Sequence, residues 1–380
     1  MRKALITLII LMVSVGTFSC REPFDPGIKE SSKAYLVVEG AILGGGQPTT
    51  ITLSRTTDLA TTNFVAENGA SVSVEDEPGN IYYLSPQGSG VYSGVFSNLT
   101  EGAKVRLRIR TQDGKEYLSD FETMKNTPEI DNVAWSVNSS HGLDITVDTH
   151  DDQNNTHYYR WAYEQTWEFH STYRSTIDYD EKTRQIVPRT NSDGIYACWQ
   201  SAKSNSVLVN STAKLSQDRV KDFRLVTIPP KSWYLDVLYS ILVKQYSLSE
   251  AEYNYWQKIK KNTEEIGSIF DPLPSEIKGN LQCLSDPNEL VIGYVGACIE
   301  REKRIFIARQ DVDNWGYYQS CSVIDVANNP DSLAAVFAGG SMEPFSTTLD
   351  NAGQERYLGT DAVCVDCTIR GTNVKPSFWP

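Results

Sequence analysis

The sequence predicts a mainly β protein, in which an N-terminal immunoglobulin-like β-sandwich precedes a larger β-rich domain with one inserted helix and disulfides. Three observations support this fold class. Short β-branched and aromatic runs alternate with turn residues along much of the chain. One segment alone has convincing helical periodicity, and six of the seven cysteines lie in the second half.

The chain begins with the pattern of a bacterial lipoprotein leader. Arg2 and Lys3 precede an apolar run over residues 4–15, and small residues then lead into Cys20. The apolar run is too short to span a bilayer with any margin. Thr17 departs from the leucine that the strict lipoprotein motif prefers, and the alternative is an uncleaved anchor with an ordinary cysteine.

We therefore expect residues 1–19 to be a removed signal peptide and residues 20–33 to be a lipidated tether. Acyl chains on Cys20 would hold the protein at a membrane, since each buried methylene contributes about 0.8 kcal/mol.

The predicted sandwich extends over residues 34–127 and ends at a break before Pro128. About seven strands in about a hundred residues are typical of an immunoglobulin-like fold. Arg106, Arg108 and Arg110 lie on the outer face of one strand. The seven runs cover residues 35–40, 50–53, 70–74, 81–84, 90–92, 105–110 and 117–119.

The second predicted domain covers residues 128–380. Its helix is predicted near 249–266, because Ser249 and Glu252 form a capping box and Gly267 ends the apolar periodicity. The last part of the chain is predicted to be rich in loops. The predicted strands of this domain cover residues 133–137, 143–147, 158–169, 290–295 and 304–308.

The strand at 158–169 is unusually aromatic. In strict alternation Tyr159, Trp161 and Tyr163 share one face, and Arg160 lies on the opposite face. Most of the aromatic rings should be core, whereas exposed ones would be anchors for protein or glycan contact.

An even number of cysteines in an exported chain predicts up to three disulfides, whose pairing the sequence leaves open. Two of these cysteines have the Cys-x-x-Cys spacing of a redox motif or half a zinc site. Structural disulfides are the simpler explanation, because no helix is predicted to follow and further zinc ligands are dispersed. The six candidates are Cys198, Cys283, Cys298, Cys321, Cys364 and Cys367.

Few other residues suggest chemistry. Residues 148–157 are rich in oxygen ligands but lack the EF-hand register, so a solvated hairpin is favoured over a Ca²⁺ site. Ser332 follows Asp331 in a three-residue pattern typical of O-glycosylation, although an ordinary loop explains it equally well. His141 and His170 have no recognisable partner. No nucleophile elbow, Walker loop or HExxH motif is present, so neither an enzyme nor a cofactor is expected.

The charge balance excludes one class of partner. The chain has 35 basic and 48 acidic residues and a formal net charge of −13. An acidic surface repels the phosphate backbone, so we expect no nucleic-acid partner.

Eight segments of the chain carry a family resemblance, and they cover residues 36–40, 158–161, 164–168, 198–199, 245–249, 255–256, 269–280 and 364–379. Together they resemble a family of Bacteroidota outer-membrane lipoproteins that is catalogued as a domain of unknown function. Genes of this family often neighbour those of TonB-dependent receptors. The resemblance has no established activity to transfer, and it implies an outer-membrane location beside a β-barrel transporter. From the resemblance, the expected location is the outer membrane, on the cell surface.

The resemblance favours a non-enzymatic accessory of a TonB-dependent receptor that helps to capture or gate its ligand. A structural subunit of an outer-membrane assembly or secretion machine is the alternative. A surface hydrolase that uses dispersed carboxylates is a third hypothesis.

Overall fold

The structure is a computed structural model that describes residues 34–57, 64–264 and 277–380, and the fold is mainly β, as predicted. Cys20, with the expected leader and tether, lies outside the described residues. The strands of the first part are β1 (Leu36–Leu43), β2 (Pro48–Arg55), β3 (Val65–Ala66), β4 (Ser71–Asp76), β5 (Ile81–Gly88), β6 (Val91–Val95), β7 (Lys104–Arg110), β8 (Glu116–Ser119), β9 (Glu122–Thr123) and β10 (Lys125–Asn126).

These strands form a sandwich in which one strand joins the two faces. Neighbours run in the order β1-β2-β6-β5-β4-β7-β8, and β5 pairs with β6 through one half and with β4 through the other. Val105, Leu107 and Ile109 of β7 are fully buried, as their alternation predicts. On the opposite face, Arg106 and Arg108 pair with the carboxylate of Glu75.

The elements of the second part follow in chain order. They are β11 (Ile130–Val137), β12 (Leu143–His150), β13 (Tyr158–His170), β14 (Ile177–Asp180), β15 (Gln185–Pro188), β16 (Ala197–Lys203), β17 (Leu208–Ser211), β18 (Arg219–Ile228), β19 (Leu238–Ser247), α1 (Glu250–Glu264), β20 (Leu281–Cys283), β21 (Val291–Ile292), β22 (Ala297–Ile299), β23 (Arg301–Ala308), β24 (Val323–Ala327), α2 (Pro330–Phe337), β25 (Met342–Leu349) and β26 (Glu355–Asp361).

The second sandwich packs a three-stranded sheet, β11-β12-β18, against a sheet ordered β16-β13-β19-β23, with β17 beside β13. The core is largely aromatic. Tyr159, Trp161 and Tyr163 alternate into it from β13, and Trp167 and Phe169 continue the buried face. Most rings of this strand are therefore core, as expected.

Three short strands from the connection between β19 and β23 belong to the first sandwich. Strand β20 pairs antiparallel with β8, β21 pairs parallel with β1, and β22 lies between β1 and β10. Leu281, Val291 and Val295 are buried in the first core. The first sandwich thus takes part of its core from residues that follow most of the second sandwich in sequence.

Helix α1 lies in the same connection, close to the predicted bounds. Ser249 Oγ accepts a hydrogen bond from the Glu252 backbone N–H at 3.2 Å, as the predicted cap requires. The Glu252 carboxylate points into the junction between the sandwiches, where its Oε1 accepts from Trp256 Nε1 at 3.3 Å. No helix in the described parts of the chain has the length and apolar character needed to cross a bilayer.

The C-terminal part is more ordered than the predicted loops. Strands β24, β26 and β25 form a sheet, and α2 packs Leu333 and Phe337 against it together with the β14–β15 hairpin. The expectation of loops was wrong. Helix α2 has only eight residues, which give little periodic signal, and Pro344 interrupts the strand pattern of β25 at a register shift. Asn329 caps α2 by accepting from the Ser332 N–H, with Pro330 at the first helical position.

Two disulfides form among the six candidate cysteines. One ties the C-terminal part to the second sandwich, and the other closes a loop within the C-terminal part. Cys198 bonds to Cys367, and Cys321 bonds to Cys364. Cys283 and Cys298 are buried free thiols rather than a third pair. They lie on β20 and β22, which are not neighbouring strands of the sheet.

Candidate functional site

A cavity of about 530 Å³ lies where the first sandwich, α1 and the second sandwich meet. Strand β1 forms one wall, α1 a second, and the sheet of β13 and β19 a third. The volume is within the usual range of small-molecule sites. The lining residues are Val37, Val38, Glu39, Gly40, Ala41, Leu43, Pro48, Thr50, Arg160, Lys244, Tyr246, Tyr255, Trp256, Ile259, Ile292, Gly293, Tyr294 and Glu300.

Arg160 occupies an unusual position in this cavity. Its guanidinium carbon lies 4.3 Å from the ring centroid of Tyr246, its cross-strand neighbour on β19, and 4.9 Å from the Trp256 ring on α1. Its Nε atom is buried and has no hydrogen-bond partner in the part of the chain that the structure describes. Among the described residues, none accepts a hydrogen bond from the guanidinium and no carboxylate oxygen lies within 4.0 Å of it.

Stacked rings attract the guanidinium by cation–π interaction and hold its plane in place. Such contacts leave the N–H groups at its edge available, and these groups match the two oxygens of a carboxylate. Arg160 is therefore the described cation of this cavity that is best prepared for an external anion.

Lys244, the other cation in the wall, already has acidic neighbours. Its Nζ lies 3.4 Å from Glu164 Oε1 and 4.0 Å from Glu300 Oε1. Burial raises the pKa of Glu300, while the Tyr246 hydroxyl and the Lys244 charge act in the opposite direction. Lys244 is thus largely balanced by the protein itself.

Glu252 lies behind the Trp256 ring and connects α1 to the late strands. Burial raises the pKa of its carboxyl to about 7, although the Arg160 charge acts to lower it. A Cβ atom at Gly296 would come within 2.1 Å of Glu252 Oε2. Glycine at this position therefore lets the backbone pass directly beside the carboxyl group.

A polar network fixes the neighbouring backbone to the first sandwich. The Tyr294 hydroxyl donates a hydrogen bond to Glu122, and the Asn280 side chain exchanges hydrogen bonds of 2.9 and 3.0 Å with the Val295 backbone. Gly293 has φ +139°, and a Cβ there would come within 2.1 Å of the Val38 carbonyl oxygen. These contacts hold the wall formed by residues 292–294 against β1.

A family model described as "Domain of unknown function (DUF4249)" matches residues 21–304. The chain belongs to the DUF4249 family. All residues that line the cavity lie within the matched region, and β24, α2, β25 and β26 lie beyond it. The match also ends before residues 364–379, to which the resemblance was expected to extend.

No curated protein matches this sequence. Among solved structures, a two-domain fibronectin type III segment from chicken tenascin is 13% identical and covers 55% of this chain and 89% of its own, with a TM-score of 0.16. Escherichia coli alpha-2-macroglobulin activated by porcine elastase is 9% identical and covers 87% of this chain but 26% of its own, with a TM-score of 0.20. Neither likeness supports an argument about function.

The DUF4249 chain has a second cavity, of about 810 Å³, beside β13 and β23. His170 Nε2 lies 3.1 Å from Glu168 Oε1, so this histidine has a partner that the sequence did not reveal. Trp379 Nε1 donates to Glu168 Oε2 at 2.9 Å, and Arg309 lies 3.3 Å from Asp236. The charged groups of this cavity satisfy one another, which favours the first cavity as the ligand site.

The other residues that the sequence suggested as sites belong to turns, a helix and disulfides in this DUF4249 protein. The Asp151 carboxylate accepts hydrogen bonds from the backbone N–H groups of Gln153, Asn155 and Thr156 at 2.9–3.0 Å, which is the geometry of a turn. Ser332 is half-buried in the first turn of α2, and its glycosylation stays a prediction. Cys364 and Cys367 bond to different partners rather than to each other.

The sequence predicted that Arg160 lies on the strand face opposite Tyr159, Trp161 and Tyr163, but it predicted no role for this arginine. An arginine between aromatic residues, on the outward face of a strand, was the available signal. The Trp256 ring that completes its stack comes from α1, far along the chain.

Proposed function

We propose that this protein is a non-enzymatic, outer-membrane lipoprotein of Bacteroidota that captures a ligand for a TonB-dependent receptor. The observation that carries the proposal is the cavity between the two sandwiches, with Arg160 in its wall, which contacts two aromatic rings and has no hydrogen-bond acceptor among the described residues. A preformed cavity with a few oriented polar groups is typical of ligand capture.

Binding rather than catalysis is proposed because of how the charged groups are held. Arg160 contacts two aromatic rings, and Lys244 lies within 4.0 Å of two carboxylates. These contacts keep charged groups stationary, which suits recognition. In the proposed arrangement, lipid on Cys20 anchors the protein on the cell surface beside the barrel of the receptor.

Co-purification from solubilised outer membranes tests the proposal. An affinity tag inserted at the exposed turn between β25 and β26, near Asn351, avoids the C-terminal Trp379, which is buried. We expect a TonB-dependent receptor to be recovered with the tagged protein and identified by mass spectrometry. Recovery of an assembly or secretion barrel instead would favour the structural alternative, and recovery of no barrel would contradict the proposal.

The anchor is tested by Cys20→Ala, which should release the protein from the membrane fraction and abolish recovery of the barrel. Cys283→Ala is the matched control, because it removes a buried thiol that forms no disulfide. The intact mass of the wild-type protein should show a fatty-acid increment and the loss of residues 1–19. A mass without these changes would contradict the proposed processing of the leader.

A further inference from the structure

We propose that the cavity between the sandwiches binds an organic monocarboxylate with an apolar body, and that the ligand carboxylate accepts hydrogen bonds from the edge of Arg160. This inference rests on the proposed function, since it names the ligand class of the same cavity.

The orientation of Arg160 defines which part of the ligand it meets. The guanidinium carbon lies 4.3 Å from the Tyr246 ring centroid and 4.9 Å from the Trp256 ring centroid, so we expect a ligand carboxylate to approach at the edge that carries the N–H groups. Edge-on pairing with a carboxylate is the geometry in which arginine forms its strongest hydrogen bonds. The Nε atom at this edge is buried and has no described hydrogen-bond partner. It has therefore lost hydrogen bonding to water without gaining a bond to a described residue.

The charge around the cavity favours a single negative charge on the ligand. Glu39 and Glu300 also line the wall, and Glu252 lies just behind it. Lys244 is engaged with Glu164 and Glu300, which leaves one described cation without an acidic neighbour within 4.0 Å. A monocarboxylate would balance the charge of Arg160, whereas the second charge of a phosphate dianion would have no further unengaged cation to pair with among the described lining residues.

The other part of the wall is apolar and accommodates the body of the ligand. Val37 from β1, Ile259 from α1 and Ile292 from β21 contribute aliphatic surface, and Tyr255 adds an aromatic ring. A volume of about 530 Å³ accepts either a short peptide that ends in an apolar residue or a free aromatic acid. Both sources present the same pair of chemical groups.

Isothermal titration calorimetry on the full chain in detergent micelles tests the inference. The probes are N-acetyl-leucyl-phenylalanine for a peptide end and 3-phenylpropanoate for a free acid, each compared with its neutral amide, and inorganic phosphate. We expect saturable one-to-one binding of at least one carboxylate, with its amide at least about tenfold weaker and phosphate weaker still. The arm that binds identifies the source of the carboxylate.

Arg160→Gln should weaken carboxylate binding at least about tenfold, because it removes the charge and the paired donors. Arg160→Lys should cause an intermediate loss, since lysine keeps the charge but not the planar fork. Arg304→Gln is the matched control. Arg304 also stacks on a ring, with its guanidinium carbon 3.7 Å from the Phe378 centroid, but it does not line the cavity. Thermal unfolding of each variant checks its fold.

The inference is overturned if neither carboxylate binds, if the amides bind as tightly as the acids, or if folded Arg160→Gln retains wild-type affinity. Its failure is separable from that of the proposed function. Barrel recovery without carboxylate binding would refute the ligand class alone, whereas carboxylate binding without a barrel would refute the receptor role alone.

Discussion

At the scale of single residues, the junction between the sandwiches depends on Arg160 and Glu252. The Trp256 ring lies between them, stacked on Arg160 and donating from its Nε1 to the Glu252 carboxyl. A change in the charge of Glu252 therefore acts on Trp256, the residue that contacts the cavity-lining Arg160. Burial raises the pKa of Glu252 to about 7, which places this change near neutral pH.

The first prediction concerns the pH dependence of stability. A carboxyl group whose pKa is higher in the folded state binds its proton more tightly there, so its contribution is complete at low pH and is lost as pH rises. For Glu252 the loss falls between its ordinary value of 4.5 and about 7. The free energy of unfolding should decrease by roughly 3 kcal/mol across this window.

Glu252→Gln should remove this component, because glutamine keeps an oxygen that accepts from Trp256 Nε1 and carries no charge. We expect the variant to match the wild-type protein at pH 4 and to exceed it at pH 8, as measured by urea denaturation. Glu250→Gln, at an exposed position on the same helix, should leave the pH dependence unchanged. Parallel curves for wild type and Glu252→Gln would contradict the prediction.

At the scale of elements, the two disulfides constrain segments of different length. Cys198 and Cys367 are 169 residues apart, and Cys321 and Cys364 are 43 residues apart. Loop-closure entropy assigns roughly 5 kcal/mol to the longer loop and roughly 4 kcal/mol to the shorter one. Replacing both cysteines of the longer bridge by alanine should therefore lower the free energy of unfolding more than the same change in the shorter bridge. Urea denaturation under oxidising conditions makes the comparison, and the reverse order would contradict it.

Elements with strong local periodicity were predictable from the sequence. Val105, Leu107 and Ile109 alternate cleanly, and α1 has both its capping serine and its apolar stripe. Helix α2 was missed because eight residues give little periodic signal. The cavity could not be predicted, since its walls come from strands and a helix that are distant in sequence and only meet through tertiary packing.

At the scale of the whole molecule, the sandwiches share chain in a way that makes the first dependent on the second. Residues 34–127 expressed alone lack Leu281, Val291 and Val295, which are buried in the first core. Full burial of three such side chains contributes about 5 kcal/mol or more, which is comparable with the stability of an entire domain. We expect this fragment to show no cooperative thermal unfolding by circular dichroism.

The control is residues 34–380, because this fragment contains β20, β21 and β22 and also keeps Val312, Trp315 and Cys367, which are buried in the second core. It should unfold cooperatively. A fragment of residues 34–127 that melts in a sharp transition close to that of the full chain would show that the late strands are dispensable.

The late arrival of β20, β21 and β22 also affects how the protein is made. A ribosome adds about 5–20 residues per second, so the stretch that separates β10 from β20 delays completion of the first core by on the order of ten seconds. During that interval the nascent chain exposes the bare edges of β1 and β8, which are the kind of edges that recruit strands from other molecules. Newly made copies of this protein should therefore depend on chaperones after residues 34–127 have been synthesised and before β20, β21 and β22 have emerged.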